Sequence, residues 1–183
     1  MDRYEMDRRA LLQALGGAGF SRFLPNIHEG ASAMRTGFVL EPEGGEHLIH
    51  FRDHGNIFIK IGSTTGSSEL AIGTQQVMAG SGIPIHRHFK MDEAFLVLEG
   101  EGVAILGEDR HTLKKGASIF IPKNTWHGFE NPDRDLLVQW VVTPAGLDGF
   151  FRETCSAPGA PPKQFTREQI RQLALSKYDT EFR

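Results

Sequence analysis

Cysteine is nearly absent from this sequence: Cys155 is the single one among 183 residues. One thiol cannot close a disulfide within the chain, and cysteine-rich zinc sites are excluded with it. Any metal here would have nitrogen and oxygen ligands. Positive charge is also in short supply. Twenty Lys and Arg stand against 23 Asp and Glu, for a net charge of -3, which leaves no basic face for nucleic acid. No apolar run approaches the roughly eighteen residues of a membrane helix. The expected partner is therefore a small molecule, not nucleic acid and not a membrane. What is present fits a globular chain: 39% of residues are hydrophobic, and the length suits one domain with an added segment at either end.

The first such segment is 1–33. Arg8 and Arg9 precede an apolar, Gly-rich stretch from Ala10 to Phe20, and Ala31-Ser32-Ala33 has the small-x-small form of a cleavage site. This resembles a twin-arginine export signal, which predicts a periplasmic or extracellular protein. Asp2 and Glu5 are foreign to such a signal, and a start at Met6 would remove both. The alternative is an arm that packs on the domain or on a partner subunit, in a cytoplasmic protein.

From about Gly45 the sequence breaks into short apolar or alternating runs punctuated by Gly, Pro, Asn and Asp. Ile57–Ile61, Glu69–Met78, Ala94–Leu98, Val103–Leu106, Ser118–Ile121 and Leu136–Val142 read as strands, and Glu99-Gly100-Glu101-Gly102 as a hairpin turn. Regular short strands predict an all-β sandwich or barrel over 45–143. The period changes beyond Pro144. Leu147, Phe150 and Phe151 recur at helical spacing, a Pro-rich linker follows, and Thr166 with Gln169 forms a capping box. Residues 144–183 are thus expected to be a helical extension with no chemical role.

The chemistry is concentrated in the segment GSGIPIHRHFKMDE, residues 80–93. Side chains two apart on a strand share a face, so Pro84, His86 and His88 should line the interior with Arg87 turned away. Glu93, Phe95 and Val97 share a face of the next strand. If the two strands are neighbours, Glu93 meets both imidazoles, and three such groups suffice for a divalent metal. His127 is a fourth candidate, at the start of another extended segment with Phe129 on its face. His47, His50 and His54 differ in parity and are expected to be ordinary surface or loop residues. His28 and His111 have no evident partner.

Two motifs carry a resemblance to the cupin superfamily. Gly80, His86, His88, Glu93 and Gly100 match its first motif; Gly116, Pro122, His127 and Asn131 match its second. Asn124 stands where the family usually has glycine, and Asn is the residue that next best tolerates left-handed backbone. The short stretch between the motifs, Glu101 to Lys115, is similar to that of microbial single-domain members. The resemblance implies a jelly-roll-type barrel in which His86, His88, Glu93 and His127 hold one divalent transition metal. Iron, nickel, manganese, cobalt, copper and zinc all suit such ligands.

Phe95, Val97 and Phe129 would make the surroundings apolar and are the expected substrate-binding residues. The run VVTPAGLDGFF resembles small relatives of the quercetin (flavonol) dioxygenases. That likeness implies a metal-dependent dioxygenase acting on a small aromatic or enolisable substrate, with Glu93 as both ligand and proton acceptor, and it implies a homodimer. A non-oxidative isomerase, lyase or decarboxylase of a sugar or keto acid is the alternative. It would need a more polar cavity, with Arg or Lys near the metal and Gln76 or Gln139 contributing. A non-catalytic small-molecule-binding barrel is the third.

Overall fold

The computed structural model describes residues 37–131 and 133–183; the expected leader or arm, 1–33, and His28 lie outside them. The order is β1 (Glu46–Ile49), β2 (Asn56–Ile61), β3 (Ala71–Val77), β4 (Ser81–His88), β5 (Asp92–Glu99), β6 (Glu101–Leu106), β7 (Asp109–Lys114), β8 (Ser118–Ile121), β9 (His127–Asn131) and β10 (Leu136–Thr143). Two helices, α1 (Leu147–Thr154) and α2 (Arg167–Lys177), and a last strand β11 (Thr180–Phe182) follow. The strands form two sheets, β1-β2-β3-β10-β5-β8 and β11-β4-β9-β6-β7. Their apolar faces meet in a jelly-roll barrel.

Strict alternation makes the core. In β10, Leu136, Val138, Trp140 and Val142 are buried, while Leu137, Gln139 and Val141 are only partly covered. β5 does the same with Glu93, Phe95 and Val97, and Trp140 pairs with Phe95 on one side and Gly73 on the other. The indole lies on Gly73: a Cβ there would sit 2.2 Å from Trp140 Cζ2. A side chain at this position would displace the largest fully buried residue of the core.

The extension after Pro144 differs from expectation. α1 buries Leu147, Phe150 and Phe151 as its spacing predicts, and Asp148 pins it to the barrel rim by accepting from Ser63 N (3.1 Å), Ser63 Oγ (2.9 Å) and Arg152 Nη1 (2.6 Å). α2 has its capping box: Thr166 Oγ1 accepts from Gln169 N at 3.2 Å and Gln169 Oε1 accepts from Thr166 N at 2.8 Å. The segment then ends in β11, which pairs antiparallel with β4. The extension is therefore part of the barrel wall, and residues in it border the site.

Candidate metal centre

β4 and β9 set His86 directly opposite His127. Between Ile83 and His86 the register shifts; a bulge adds one residue and breaks the two-residue alternation. Pro84 consequently points out and is exposed, contrary to the interior position expected of it, while Ile83 joins His86 and His88 at the interior. β4 and β5 are not neighbours, so the condition under which Glu93 would meet both imidazoles along one sheet is not met. They lie in different sheets, and Glu93 reaches the imidazoles across the barrel.

The four side chains converge. His86, His88, Glu93 and His127 are 7%, 2%, 2% and 0% exposed, and one donor atom from each lies within 4.8 Å of all the others. Glu93 Oε2 is 3.0 Å from His127 Nε2 and 3.3 Å from His88 Nε2. Ring centres of His86 and His127 are 4.1 Å apart. The turn before β9 is held by Asn124, whose φ of 66° is the left-handed value that an Asn accepts, and whose N–H donates to the His88 carbonyl at 2.7 Å.

The partners of the other ring nitrogens decide what this cluster can hold. His86 Nδ1 lies 2.8 Å from the Pro84 carbonyl and His127 Nδ1 2.9 Å from the Thr125 carbonyl. A carbonyl oxygen only accepts, so each Nδ1 carries the proton. His88 Nδ1 lies 2.8 Å from Thr180 Oγ1, and that hydroxyl donates to the Tyr178 carbonyl at 2.8 Å. Its single proton is spent, so it accepts from His88. With its proton on Nδ1, each ring turns its Nε2 lone pair toward the other two and toward a carboxylate. His88 Nε2 has no hydrogen-bond partner among the described residues. Lone pairs and an anion crowded without a proton among them repel; a cation at their centre reverses the sign. The donor set fits a divalent transition metal.

Electrostatics agree. Burial pushes the Glu93 carboxyl up, but His127 and His88, which donate to it when a proton rather than a metal sits on their Nε2, outweigh burial and hold the group well below the usual carboxylate range. Burial, reinforced by His127 and His88, pushes His86 far down and keeps it neutral.

A cavity of ≈ 50 Å³ adjoins the cluster. His86, His88 and Glu93 make one wall, with Thr180 beside them; Phe95, Trp140, Phe150, Phe151 and Phe182 supply apolar surface. Of the three expected substrate contacts only Phe95 borders this space. Val97 and Phe129 are buried away from it, Phe129 packing edge-on against Phe95 at 4.7 Å. Gln76 and Gln139 lie on the outer face of their sheet; Gln75 faces in. His50 is not a surface residue: it is 3% exposed and lines the cavity with Arg52. His47, by contrast, stacks on Phe58 and meets Asn56 Oδ1 at 2.7 Å, outside the cavity, and His54 and His111 are exposed.

Fold and site together define a jelly-roll barrel with an interior three-histidine, one-glutamate cluster that could bind a metal. Residues 73–144 match the cupin domain, and the jelly-roll barrel built around them is a cupin fold. An uncharacterized protein of Methanocaldococcus jannaschii is 28% identical over 78 residues, 43% of this chain and 57% of that protein. An auxin-binding protein of Nicotiana tabacum is 29% identical over 112 residues, 54% of this chain and 58% of that protein. The chain thus spans under two thirds of the length of these curated relatives. Among solved structures, KdgF from Halomonas sp. superposes with a TM-score of 0.55 at 19% identity, over 62% of this chain and 99% of that one. A predicted oxalate decarboxylase from Thermotoga maritima gives 0.52 at 19% identity, over 58% and 99%. These two likenesses concern the fold alone.

Proposed function

We infer that the protein is a metal-dependent enzyme that removes a proton from a small enolisable substrate. One observation carries this: three Nε2 lone pairs and the Glu93 carboxylate converge at one buried point, with every Nδ1 proton already committed elsewhere. His86, His88, Glu93 and His127 would hold one divalent transition ion. Such an ion supplies Lewis acidity, lowering the pKa of a hydroxyl or polarising a carbonyl.

The chain's own residues do the rest. Glu93 is ionised at neutral pH and can accept a proton at Oε1, the carboxylate oxygen that faces neither His127 nor His88. A carboxylate held so far below its ordinary value is a weak base, so the proton it takes must be an acidified one. Phe95, Phe150, Phe151 and Phe182 keep bulk water from the reacting atoms.

Size bears on the substrate. The cavity beside the cluster is narrow, ≈ 50 Å³, and its wall is largely aromatic, which suits a small molecule. This favours a small keto or hydroxy compound. Addition of oxygen, the quercetin dioxygenase-like outcome, and non-oxidative isomerisation, lysis or decarboxylation share the proton-removal step and diverge after it. The test is to load the purified protein with each metal in turn and follow exchange of substrate C–H for deuterium by NMR, with an oxygen electrode in parallel. Metal-dependent exchange supports the proposal, and oxygen uptake then selects the dioxygenase. Stoichiometric metal with neither signal across small keto and hydroxy compounds would overturn it.

A further inference from the structure

Five buried side-chain polar atoms lack a hydrogen-bond partner among the described residues: Arg52 Nε and Nη2, His88 Nε2, Trp140 Nε1 and Asp179 Oδ2. Four of the five belong to residues that line the one cavity beside the metal cluster. His88 Nε2 is accounted for by a metal. Arg52 and Trp140 are not, because both are donors and a cation gives them nothing.

Arg52 is the more telling. It sits in the turn between β1 and β2, and its side chain is 26% exposed, yet Nε and Nη2 are shut off from solvent. The nearest carboxylate is Asp53, whose Oδ2 is 3.8 Å from Nη2, beyond hydrogen-bond reach. Asp53 is committed elsewhere: Oδ1 accepts from Gly55 N at 3.3 Å and lies 3.2 Å from His50 Nδ1, and Oδ2 accepts from Met78 N at 3.4 Å. A buried guanidinium edge with two free N–H groups is costly unless an acceptor meets it. Its geometry matches a carboxylate, whose two oxygens can each take one bond. Trp140 is fully buried and its indole N–H also lacks an acceptor. Arg52 borders a surface groove with Ile83 and Ile85 as well as the cavity, which places it between solvent and the metal cluster.

Resting on the proposed function, we propose that Arg52 and the Trp140 indole N–H form a carboxylate-recognising subsite, so that the substrate is a small organic acid anion. Its carboxylate meets the guanidinium edge and its enolisable end faces His86, His88 and Glu93. Glu93 is the one carboxylate lining the cavity among the described residues, so a bound divalent ion and Arg52 leave the space net positive and attractive to an anion.

The probe is pyruvate, with neutral pyruvamide as its isostere, titrated into the ¹⁵N-labelled, zinc-loaded full chain. The sequence has two tryptophans, and Trp126 stacks outside the cavity between the Arg87 and Arg183 guanidinium groups. Trp126→Phe therefore assigns the Trp140 indole resonance without touching the site. Pyruvate should shift that resonance saturably, with pyruvamide at least about tenfold weaker. Arg52→Gln should weaken pyruvate by about tenfold or more, the scale of a lost charged hydrogen bond. Arg52→Lys should lie between, keeping the charge and losing the fork. Equal binding of pyruvate and pyruvamide, or no effect of Arg52→Gln in a variant that still takes up stoichiometric zinc, overturns the subsite. Zinc titration of the same samples separates the two ideas: no zinc with Arg52-dependent pyruvate binding would sink the metalloenzyme and leave the subsite standing.

Discussion

The Thr180 hydroxyl accepts from His88 Nδ1 at 2.8 Å and donates its own proton to the Tyr178 carbonyl at 2.8 Å. A residue near the end of the chain thereby fixes which nitrogen of His88 is bare. Such orienting partners are typically worth a factor of about 10–100 in metal affinity. Thr180→Val should cost that much in a chelator-competition titration, and Thr180→Ser, which keeps the hydroxyl, should cost little. Equal affinities for all three proteins would show that His88 is aimed by packing alone.

Metal should also appear as stability. At a free concentration about a hundred times Kd, an ion that binds only the folded state adds about 2.7 kcal/mol, or roughly 5–10 °C in the thermal midpoint of a protein this size. The midpoint of the wild-type protein should rise on adding zinc and fall back with EDTA. In Glu93→Gln and His127→Ala the shift should vanish while the fold persists, as judged by far-ultraviolet circular dichroism.

Acid should act on the metal-free protein in two stages. Burial holds His50 and His86 below their ordinary value of 6.5, so the unfolded chain takes up protons that the folded chain refuses. Stability is then full above pH 6.5 and declines as pH falls below it. Burial pushes Asp53 up, but the hydrogen bond from His50, with the charges of His50 and Arg52, brings it down from 3.8 to about 2. That contribution is full above pH 3.8 and is lost as pH falls toward 2. Denaturant midpoints measured from pH 8 to pH 3 should show both declines. Asp53→Asn should shrink the lower one and leave the part that belongs to Glu93; a lower decline of unchanged size would show that Asp53 contributes nothing to it.

Asn124 has a φ of 66° and ties the turn before β9 to the His88 carbonyl. A β-branched residue there should cost about 1–2 kcal/mol, the usual penalty for left-handed backbone. Asn124→Gly should change stability by only a few tenths of a kcal/mol. Thermal midpoints of Asn124→Val and Asn124→Gly check this, and a silent Asn124→Val would mean the turn can rearrange.

The clarity of each part of the sequence tracks how local its physics is. The strands of the barrel announce themselves because alternation in stretches such as Leu136–Val142 is a property of adjacent residues. The cluster of His86, His88, Glu93 and His127 is legible through spacing and motif. Pro84 misled because a bulge depends on the partner strand, which parity along one strand does not reveal. Arg52 and His50 were opaque for the same reason: they sit in a turn, and only the tertiary fold covers that turn with α1. Thr180 left a faint trace. Tyr178, Thr180 and Phe182 alternate as a strand would, but three residues after a helix are too few to stand out against helix fraying.

β11 meets β4 over three residue pairs, Thr180–His88, Glu181–Arg87 and Phe182–His86, and reaches it through the Pro-rich stretch after α1. A protease that nicked this stretch would leave every candidate metal ligand on the longer fragment, with its strands intact. The shorter fragment would carry off the hydroxyl that aims His88 and the Phe182 ring that closes the cavity. Clipping there would strip one edge of the barrel wall and strike the site directly, so bound metal would be a sensitive gauge of such damage.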